Sequence, residues 1–411
     1  MNNFFKLKEN NTTVATEFYG GLSSFLASFY IIIVNPAILS QAGLPFEAVC
    51  TATIMVAAIS TILMGMYANN PIVLAPGMGL NAFFTYSVVM GKNIAPEVAL
   101  GVVFWAGILF IGFSLLNIRE KLIAAIPIHL RFAISCGIGL FIAFIGFING
   151  KVIIHHPATL VEMAPLSSIT ITFFIALIFT AFLVLKQMKA ALILGIAATL
   201  LMTIPLGRLW GPEILVKWQG FMAMPDFSLL GKLNYVDSLS LALWPTIIAF
   251  MFTNLFDTIS TLVGVSEAGN LLDDQGRPRN LKRSLLVDAF ATAISGILGT
   301  SPTTSYIESA AGIQQGARTG LTALFAGLFF LPFLFLSPLL SMFPLFTTAP
   351  VLVIVGIFMM TPIAKIDWKQ IDVALPCFLA ITLIPLTFSI THGIVAALIC
   401  HFLFCLFKKL R

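Results

Sequence analysis

Three acidic residues lie within or beside apolar stretches of this 411-residue chain, where a charge is costly. Asp257 lies in the run FMFTNLFDTISTL, and Glu308 lies in TTSYIESAAG. A charged side chain at the bilayer centre costs roughly 2.5–3.5 kcal/mol on insertion scales, and such residues are functional by default. Because neither has a nearby cation in sequence, we expect both to face a polar cavity, where a carboxyl can bind a ligand or exchange a proton. Asp288 is interpreted instead as part of a helix-end ion pair with Lys282 or Arg283.

Uncharged polar residues accompany these carboxyls. Asn254, Asp257 and Thr261 recur at i, i+3 and i+7, so they share one helix face. Most single Ser, Thr or Asn residues in apolar segments form hydrogen bonds between helices. The candidates beside two Gly- and Pro-containing breaks in the chain are Gly79, Asn81, Phe83, Phe84, Thr304 and Ser305. Among them Asn81 is favoured as a ligand contact because it directly follows a break, and the two Phe residues are candidates for stacking on a flat ring.

Residues that bind metals or act as nucleophiles do not cluster in the sequence. The five cysteines form no CxxC pair and no Cys/His group, so they are interpreted as small apolar fillers of helices. His155 and His156 lie in a predicted outer loop, with no carboxylate at ligand spacing. We therefore predict no metal, no cofactor and no enzymatic activity.

The composition identifies the class of protein that positions these residues. Apolar residues make up 59% of the chain and charged residues 9%, against roughly 45–50% and about 25% in soluble domains. These values exclude a soluble enzyme, a disordered protein and a nucleic-acid binder. They indicate an integral, multi-pass membrane protein whose surroundings are lipid.

Apolar runs predict fourteen membrane-spanning segments, since each needs about 20 mostly apolar residues. Segment 3 contains NNP and APGMG, and segment 10 begins GTSPTT. Pro and Gly there would interrupt a helix, so we expect extended backbone around Gly77–Gly79 and Ser301–Thr304. Irregular backbone at membrane depth is tolerated only where it is buried in protein or lines a cavity. The predicted segments are 18–40, 47–67, 71–90, 97–117, 122–148, 167–186, 190–206, 238–265, 283–299, 302–315, 319–342, 346–363, 370–388 and 391–407.

The distribution of basic residues supports this count. With the N-terminus inside, 17 of the 22 Lys and Arg residues fall in inner loops and 5 in outer loops. This asymmetry is what the positive-inside rule predicts for cytoplasmic termini. We expect a protein of the plasma (inner) membrane, with a cytoplasmic tail at 1–16, seven segments in 17–206, an outer connecting loop at 207–237 and seven segments in 238–411.

An internal repeat divides the chain into these halves. The sequence AISTILMG precedes broken segment 3, and AISGILG precedes broken segment 10, seven segments later. Because each half has an odd number of segments, the two halves are inverted in the membrane. Paired interrupted segments in corresponding positions are the best sequence indication of a transporter's binding site.

Several blocks resemble the AzgA-like purine permeases, in the superfamily that also holds the uracil and xanthine permeases. The blocks are APGMGLNAFF from residue 75, YIIIVNPAIL from 30, LFDTISTLVG from 255, TTSYIESAAG from 303 and GARTGL from 316. The chain departs from the family pattern at Ala317, Pro302 and Asn254. The resemblance implies an all-α polytopic protein whose fourteen segments form a 7+7 inverted repeat, with core and gate domains and short strands in segments 3 and 10.

The resemblance also implies a proton-coupled importer of adenine, guanine or hypoxanthine. Glu308 is then expected chiefly to hold the base, Asp257 to act on both proton and base, and Asn81 to read a mixed donor and acceptor edge. The proton-coupling candidates are Asp257 and Glu308. Alternatives left open are transport of xanthine, uracil or a small anion; an intramembrane enzyme and a channel are disfavoured. The oligomeric state is open, a homodimer included, and no nucleic-acid partner is expected.

Overall fold

The computed structural model describes residues 4–115, 127–209, 220–269, 271–272 and 278–409. These residues contain eight helices long and apolar enough to cross a membrane, and four shorter apolar helices. The first seven segments contain Val14–Ser28 and Ile31–Leu39 (segment 1), Phe46–Leu63 with a π-helical turn Met64–Ala68 (2), Met78–Ala82 continued by Phe83–Met90 (3), Pro96–Leu115 (4), Ile128–Asn149 (5), Ser168–Leu185 (6) and Ala191–Leu209 (7).

The second seven segments repeat this order. Their helices are Trp244–Ala268 (8), Leu281–Leu298 (9), Ala310–Ile313 (10), Gly320–Phe330 (11), Leu345–Met360 (12), Ile371–Leu386 (13) and Ile390–Lys409 (14), with a short helix Ser337–Leu340 between segments 11 and 12. Each predicted segment therefore has a counterpart in the structure. Segment 10 differs most from an ordinary span, because its helical part is only a 3₁₀ turn, Ile307–Ser309, followed by one α-helical turn.

Two short strands join the interrupted segments. Strand β1, Leu74–Pro76 in segment 3, pairs antiparallel with β4, Thr303–Ser305 in segment 10. The amide of Gly77 extends the pairing by donating to the carbonyl of Pro302 at 2.9 Å. The two breaks thus satisfy each other's backbone groups, as the membrane interior requires. The strands lie seven segments apart and run in opposite directions, in agreement with the predicted 7+7 inverted repeat.

Two details of the strands differ from the sequence expectation. Extended backbone was expected from Gly77 to Gly79, but the helix of segment 3 already begins at Met78, since Pro76 ends the strand and Gly77 precedes the helix. A second pair of strands, β2 (Ile153–His156) and β3 (Leu160–Met163), forms an antiparallel hairpin between segments 5 and 6. The sequence predicted an outer loop, without strands, at these residues.

The helices pack into two groups. Segments 1–4 and 8–11 pack mainly against one another and form the core domain. Segments 5–7 and 12–14 form the gate domain, in which segment 12 packs along segments 5, 6 and 7, and segments 13 and 14 pack together. Each group takes equivalent segments from both halves of the chain, which is the core and gate division that the family resemblance implied.

Close contacts and a buried carboxylate hold the core domain together. A Cβ added to Gly65 of segment 2 would lie 2.3 Å from the carbonyl oxygen of Gly320 in segment 11, so only glycine permits this approach. Glu17 of segment 1 is fully buried and accepts the backbone N–H groups of Arg318, Thr319 and Thr322 at 2.9–3.3 Å. These donors lie at and just before the start of the helix Gly320–Phe330, where several backbone N–H groups have no partner inside the helix. Glu17 therefore supplies a cap from a neighbouring segment.

Asp288 does not form the helix-end ion pair expected from the sequence. Its side chain is completely buried in the core domain, and the hydroxyl of Thr258 donates to its Oδ2 at 2.6 Å. The hydroxyl of Thr303 lies 3.5 Å from Oδ1. The expectation was wrong because sequence distance to Arg283 does not show which way the helix turns: this face of segment 9 packs on segment 8 and β4.

A candidate transport site between core and gate

A cavity of about 410 Å³ lies between the core and gate domains. Its size falls within the range of roughly 300–1,000 Å³ found for small-molecule sites. Core residues on its wall include Tyr30, Gly79, Asp257, Thr304, Ser305 and Glu308. Gate residues include Arg131, Phe132, Ser135, Val355, Phe358 and Lys365. The wall is mostly apolar, with a few polar groups in the core domain that can orient a ligand.

Both predicted carboxyls reach this cavity. Asp257 of segment 8 and Glu308 of segment 10 are partly buried and line the same wall. The hydroxyl of Tyr30 donates to Oε1 of Glu308 at 2.8 Å, and the hydroxyl of Thr304 donates to Oδ2 of Asp257 at 3.0 Å. Each carboxyl is thus oriented by one hydroxyl donor from a different element, so both are positioned before any ligand arrives.

The crossing of the two interrupted segments determines where Glu308 lies. Strand β4 leads directly into a 3₁₀ turn, Ile307–Ser309, which carries the carboxyl. Tyr306 holds this point to β1: its amide donates to the carbonyl of Val73 at 2.9 Å and its hydroxyl to the carbonyl of Pro76 at 2.6 Å. A continuous helix through segment 10 would move Glu308 away from this crossing.

Ser305 and Gly79 complete the core wall. The buried hydroxyl of Ser305 has no hydrogen-bond partner within the part of the chain that the structure describes, and it lines the cavity. Buried polar groups are generally satisfied, so this hydroxyl is a candidate ligand contact. A Cβ on Gly79 would lie 2.3 Å from Cγ2 of Ile138 in segment 5. Glycine there lets the gate helix approach the start of segment 3.

The structure does not bring every sequence candidate onto the cavity. Thr261 does line it, but Asn81 lies beneath the wall, where its Oδ1 accepts a 2.5 Å hydrogen bond from Ser301. Phe83 is fully buried and packs against Phe250 with ring centroids 4.6 Å apart; Phe84 is buried as well. Asn254 donates to Thr292 at 2.6 Å inside the core domain. Asn81 therefore does not face Glu308 across the cavity in this conformation, and Phe83 presents no open face to a ligand.

The wall residues that were not singled out from the sequence include a tyrosine and two cations, Tyr30, Arg131 and Lys365. Tyr30 begins the block YIIIVNPAIL, and a tyrosine within an apolar segment could have been flagged as a polar group needing a partner. Arg131 and Lys365 were counted only as topological charges. Arg131 lies 5.9 Å above the ring of Phe256, and Lys365 lies 5.7 Å above that of Phe132. Both cations come from the gate domain.

Comparison with known proteins shows relatives along nearly the whole chain. The adenine permease AdeP of Escherichia coli is 38% identical over 400 residues, covering 97% of this chain and 88% of that protein. The guanine/hypoxanthine permease PbuO of Bacillus subtilis is 39% identical over 412 residues, covering 97% and 93%. The nucleobase transporter PlAzg2 of Paenibacillus larvae is 34% identical over 398 residues, covering 94% and 77%.

A solved structure shares the fold at low sequence identity. The transmembrane domain of the cyanobacterial bicarbonate transporter BicA superposes with a TM-score of 0.70 and 17% identity, covering 93% of this chain and 97% of that one. A family model named Xan_ur_permease, described as the permease family, matches residues 15–396. The resemblance to AzgA-like permeases is confirmed, as is the prediction of a transporter and not an enzyme. This chain therefore belongs to the permease family, as an integral multi-pass membrane protein.

Proposed function

We propose that this protein imports purine nucleobases, adenine, guanine or hypoxanthine, by proton symport across the plasma (inner) membrane. The proposal depends on one observation: two carboxyls, Asp257 and Glu308, face a single cavity between the core and gate domains. The relatives named for adenine and for guanine or hypoxanthine transport support the substrate class. Transport of xanthine, uracil or a small anion remains the alternative.

The chemistry of a purine matches the groups on the core wall. A purine base is flat and neutral, with N–H donors and ring acceptors on its edge. Glu308 can accept from base N–H groups, while the hydroxyl of Ser305 can donate or accept. We assign Glu308 chiefly to the base, and Asp257 to the proton and the base together. Asn81 supports the wall from beneath through Ser301.

The position of the cavity suggests how access alternates. Its gate wall includes Arg131, near the start of segment 5, and Lys365, just after segment 12. The positive-inside rule assigns both to the cytoplasmic side. With this topology, and with both termini cytoplasmic, the conformation is inward-facing. Movement of the gate domain relative to the core domain would then close this side and open the other.

Uptake by purified protein in liposomes tests the proposal. We expect labelled adenine, guanine or hypoxanthine to accumulate when the outside is acidic, and a protonophore to abolish accumulation. Asp257→Asn keeps the shape but removes the titrating group, so concentrative uptake should be lost. The control Asp237→Asn changes an exposed carboxyl in the outer loop and should transport normally. Uptake that follows a sodium gradient and ignores the protonophore would exclude proton symport; competition by uracil, xanthine or bicarbonate alone would favour the alternatives.

A further inference from the structure

A chain of hydrogen-bonded side chains leads from the cavity into the core domain and ends at Asp288. From Asp257, which faces the cavity, Oδ2 contacts the hydroxyl of Thr304 at 3.0 Å. That hydroxyl lies 3.2 Å from the hydroxyl of Thr258, which lies 2.6 Å from Oδ2 of Asp288. Thr258 and Asp288 are completely buried. Two carboxyls in different helices are thus linked through two hydroxyls and no other group.

Counting protons shows what this chain needs. It has three contacts between oxygens, and each hydroxyl can donate one proton. If both carboxyls are ionised, Thr304 donates to Asp257 and Thr258 donates to Asp288. The two hydroxyl oxygens then face each other with lone pairs and no proton between them. Filling all three contacts needs a third proton, which must come from a carboxyl. The chain is therefore complete when Asp257 and Asp288 together hold one proton.

The complete chain has two arrangements. With the proton on Asp257, the carboxyl donates to Thr304, Thr304 donates to Thr258, and Thr258 donates to Asp288. With the proton on Asp288, every donor direction is reversed. Each hydroxyl gives up one proton and receives one in the exchange, so neither becomes charged. The backbone amide of Ser305, which lies 3.4 Å from the Thr258 hydroxyl, can donate to that oxygen in both arrangements.

We propose that Asp288 is an internal proton site, to which Asp257 passes its proton through the hydroxyls of Thr304 and Thr258. The proposal deepens the proposed proton symport and depends on it. A proton moved to Asp288 leaves Asp257 ionised toward the cavity, where it can accept an N–H of the base, while the proton stays within the protein. The base and the proton then occupy separate places in the same domain.

The surroundings of the chain agree with one shared proton. Among the described residues, the hydroxyls of Thr258 and Thr303 contact the carboxylate oxygens of Asp288, and no Lys, Arg or His side chain forms an ion pair with it. When two carboxyls such as Asp257 and Asp288 share a buried site, the negative charge of one disfavours ionisation of the other. An ion pair is therefore not what holds Asp288 in the core domain.

Removing one hydroxyl tests the relay, and the chain offers a matched control. Thr258→Val cuts the chain at its buried end while keeping the side-chain shape. Thr253→Val makes the same change five residues earlier in segment 8, where the buried hydroxyl has no partner within the described part of the protein. We expect Thr258→Val to exchange base in counterflow but to lose accumulation driven by a pH gradient. Thr253→Val should retain both activities.

A second pair of variants separates the relay from packing. Thr258→Ser retains the hydroxyl and Thr258→Ala removes it, with both losing the methyl group; we expect accumulation only with Ser. Asp288→Asn preserves a hydrogen bond to Thr258 but cannot release a proton, so it should also retain counterflow and lose accumulation. A merely structural Asp288 would tolerate Asn with gradient-driven uptake intact.

The outcomes distinguish the relay from the symport on which it depends. Wild-type protein that ignores the pH gradient overturns the proposed symport. If wild-type protein accumulates base, the relay is overturned and the symport is not when Thr258→Val accumulates as much base as Thr253→Val. The same holds when Thr258→Ala accumulates as much base as Thr258→Ser. If Thr258→Ala loses both counterflow and accumulation while Thr258→Ser retains both, the Thr258 hydroxyl acts in base binding, and the relay is also overturned.

Discussion

Substituting Glu308 by Gln tests the proposed base contact. In the native protein Tyr30 donates to Oε1 of Glu308 at 2.8 Å. The amide oxygen of Gln can retain this hydrogen bond, which directs its NH₂ group to the place of Oε2. A donor then faces the N–H of the base, where an acceptor is needed. The fold should be preserved, because the hydrogen bond that orients the side chain is retained.

The expected loss follows from the type of hydrogen bond removed. A hydrogen bond to a charged group contributes about 1.5–3 kcal/mol, which corresponds to a roughly 10- to 150-fold increase in Kd. Binding of labelled purine to purified protein measures it, and thermal unfolding without ligand checks the fold. Glu97→Gln, at an exposed position in the first turn of segment 4, should bind as wild type does. Native affinity in well-folded Glu308→Gln protein would refute the assignment of Glu308 to the base.

Three further predictions concern the fold and the cavity. Glu17→Ala should lower the free energy of unfolding by at least about 2 kcal/mol, because each buried donor left unpaired costs about 1–3 kcal/mol; an unchanged melting temperature would argue against the cap. Gly65→Ala should reduce the amount of folded protein, since the added Cβ would lie 2.3 Å from the carbonyl oxygen of Gly320; normal yield and melting temperature would contradict that close crossing. A cysteine replacing Asp257 should react with a water-soluble maleimide, and one replacing Asn81 should not. Reaction at Asn81 and none at Asp257 would show that Asn81, and not Asp257, lines the water-filled cavity.

Much of the architecture could be predicted because its determinants are local in sequence. Each membrane-spanning segment is recognisable as a run of about 20 apolar residues, and the basic residues in the loops predict the orientation of the segments in the membrane. Pro76 and Pro302, with the Gly residues near them, indicated where two helices must break. The positions of Asp257 and Glu308 in apolar runs indicated a polar cavity. What these patterns did not show was the register in which the two broken segments pair, with Leu74 opposite Ser305 and Pro76 opposite Thr303.

The site could be predicted only in part, because side-chain partners depend on how helices rotate about their axes. Asn81 and Glu308 both follow breaks, yet Asn81 turns beneath the wall to Ser301 while Glu308 faces the cavity. Phe83 turns into the core domain against another ring. A difference of one residue in helix phase turns a side chain by about 100°, which sequence spacing to a break does not determine.

By itself, the sequence determined that this protein resides in a membrane, has fourteen segments in two inverted halves and carries carboxyls at membrane depth. Hydropathy and charge act additively along the chain, so they can be read without knowing any contact. Only the tertiary structure decided that Tyr30 orients Glu308 and that Asp288 is linked to Asp257 instead of a basic neighbour. Those partners lie 278 residues and 31 residues apart in sequence. Hydrogen bonds act over about 3 Å, and only packing of the core domain brings such distant groups within that reach.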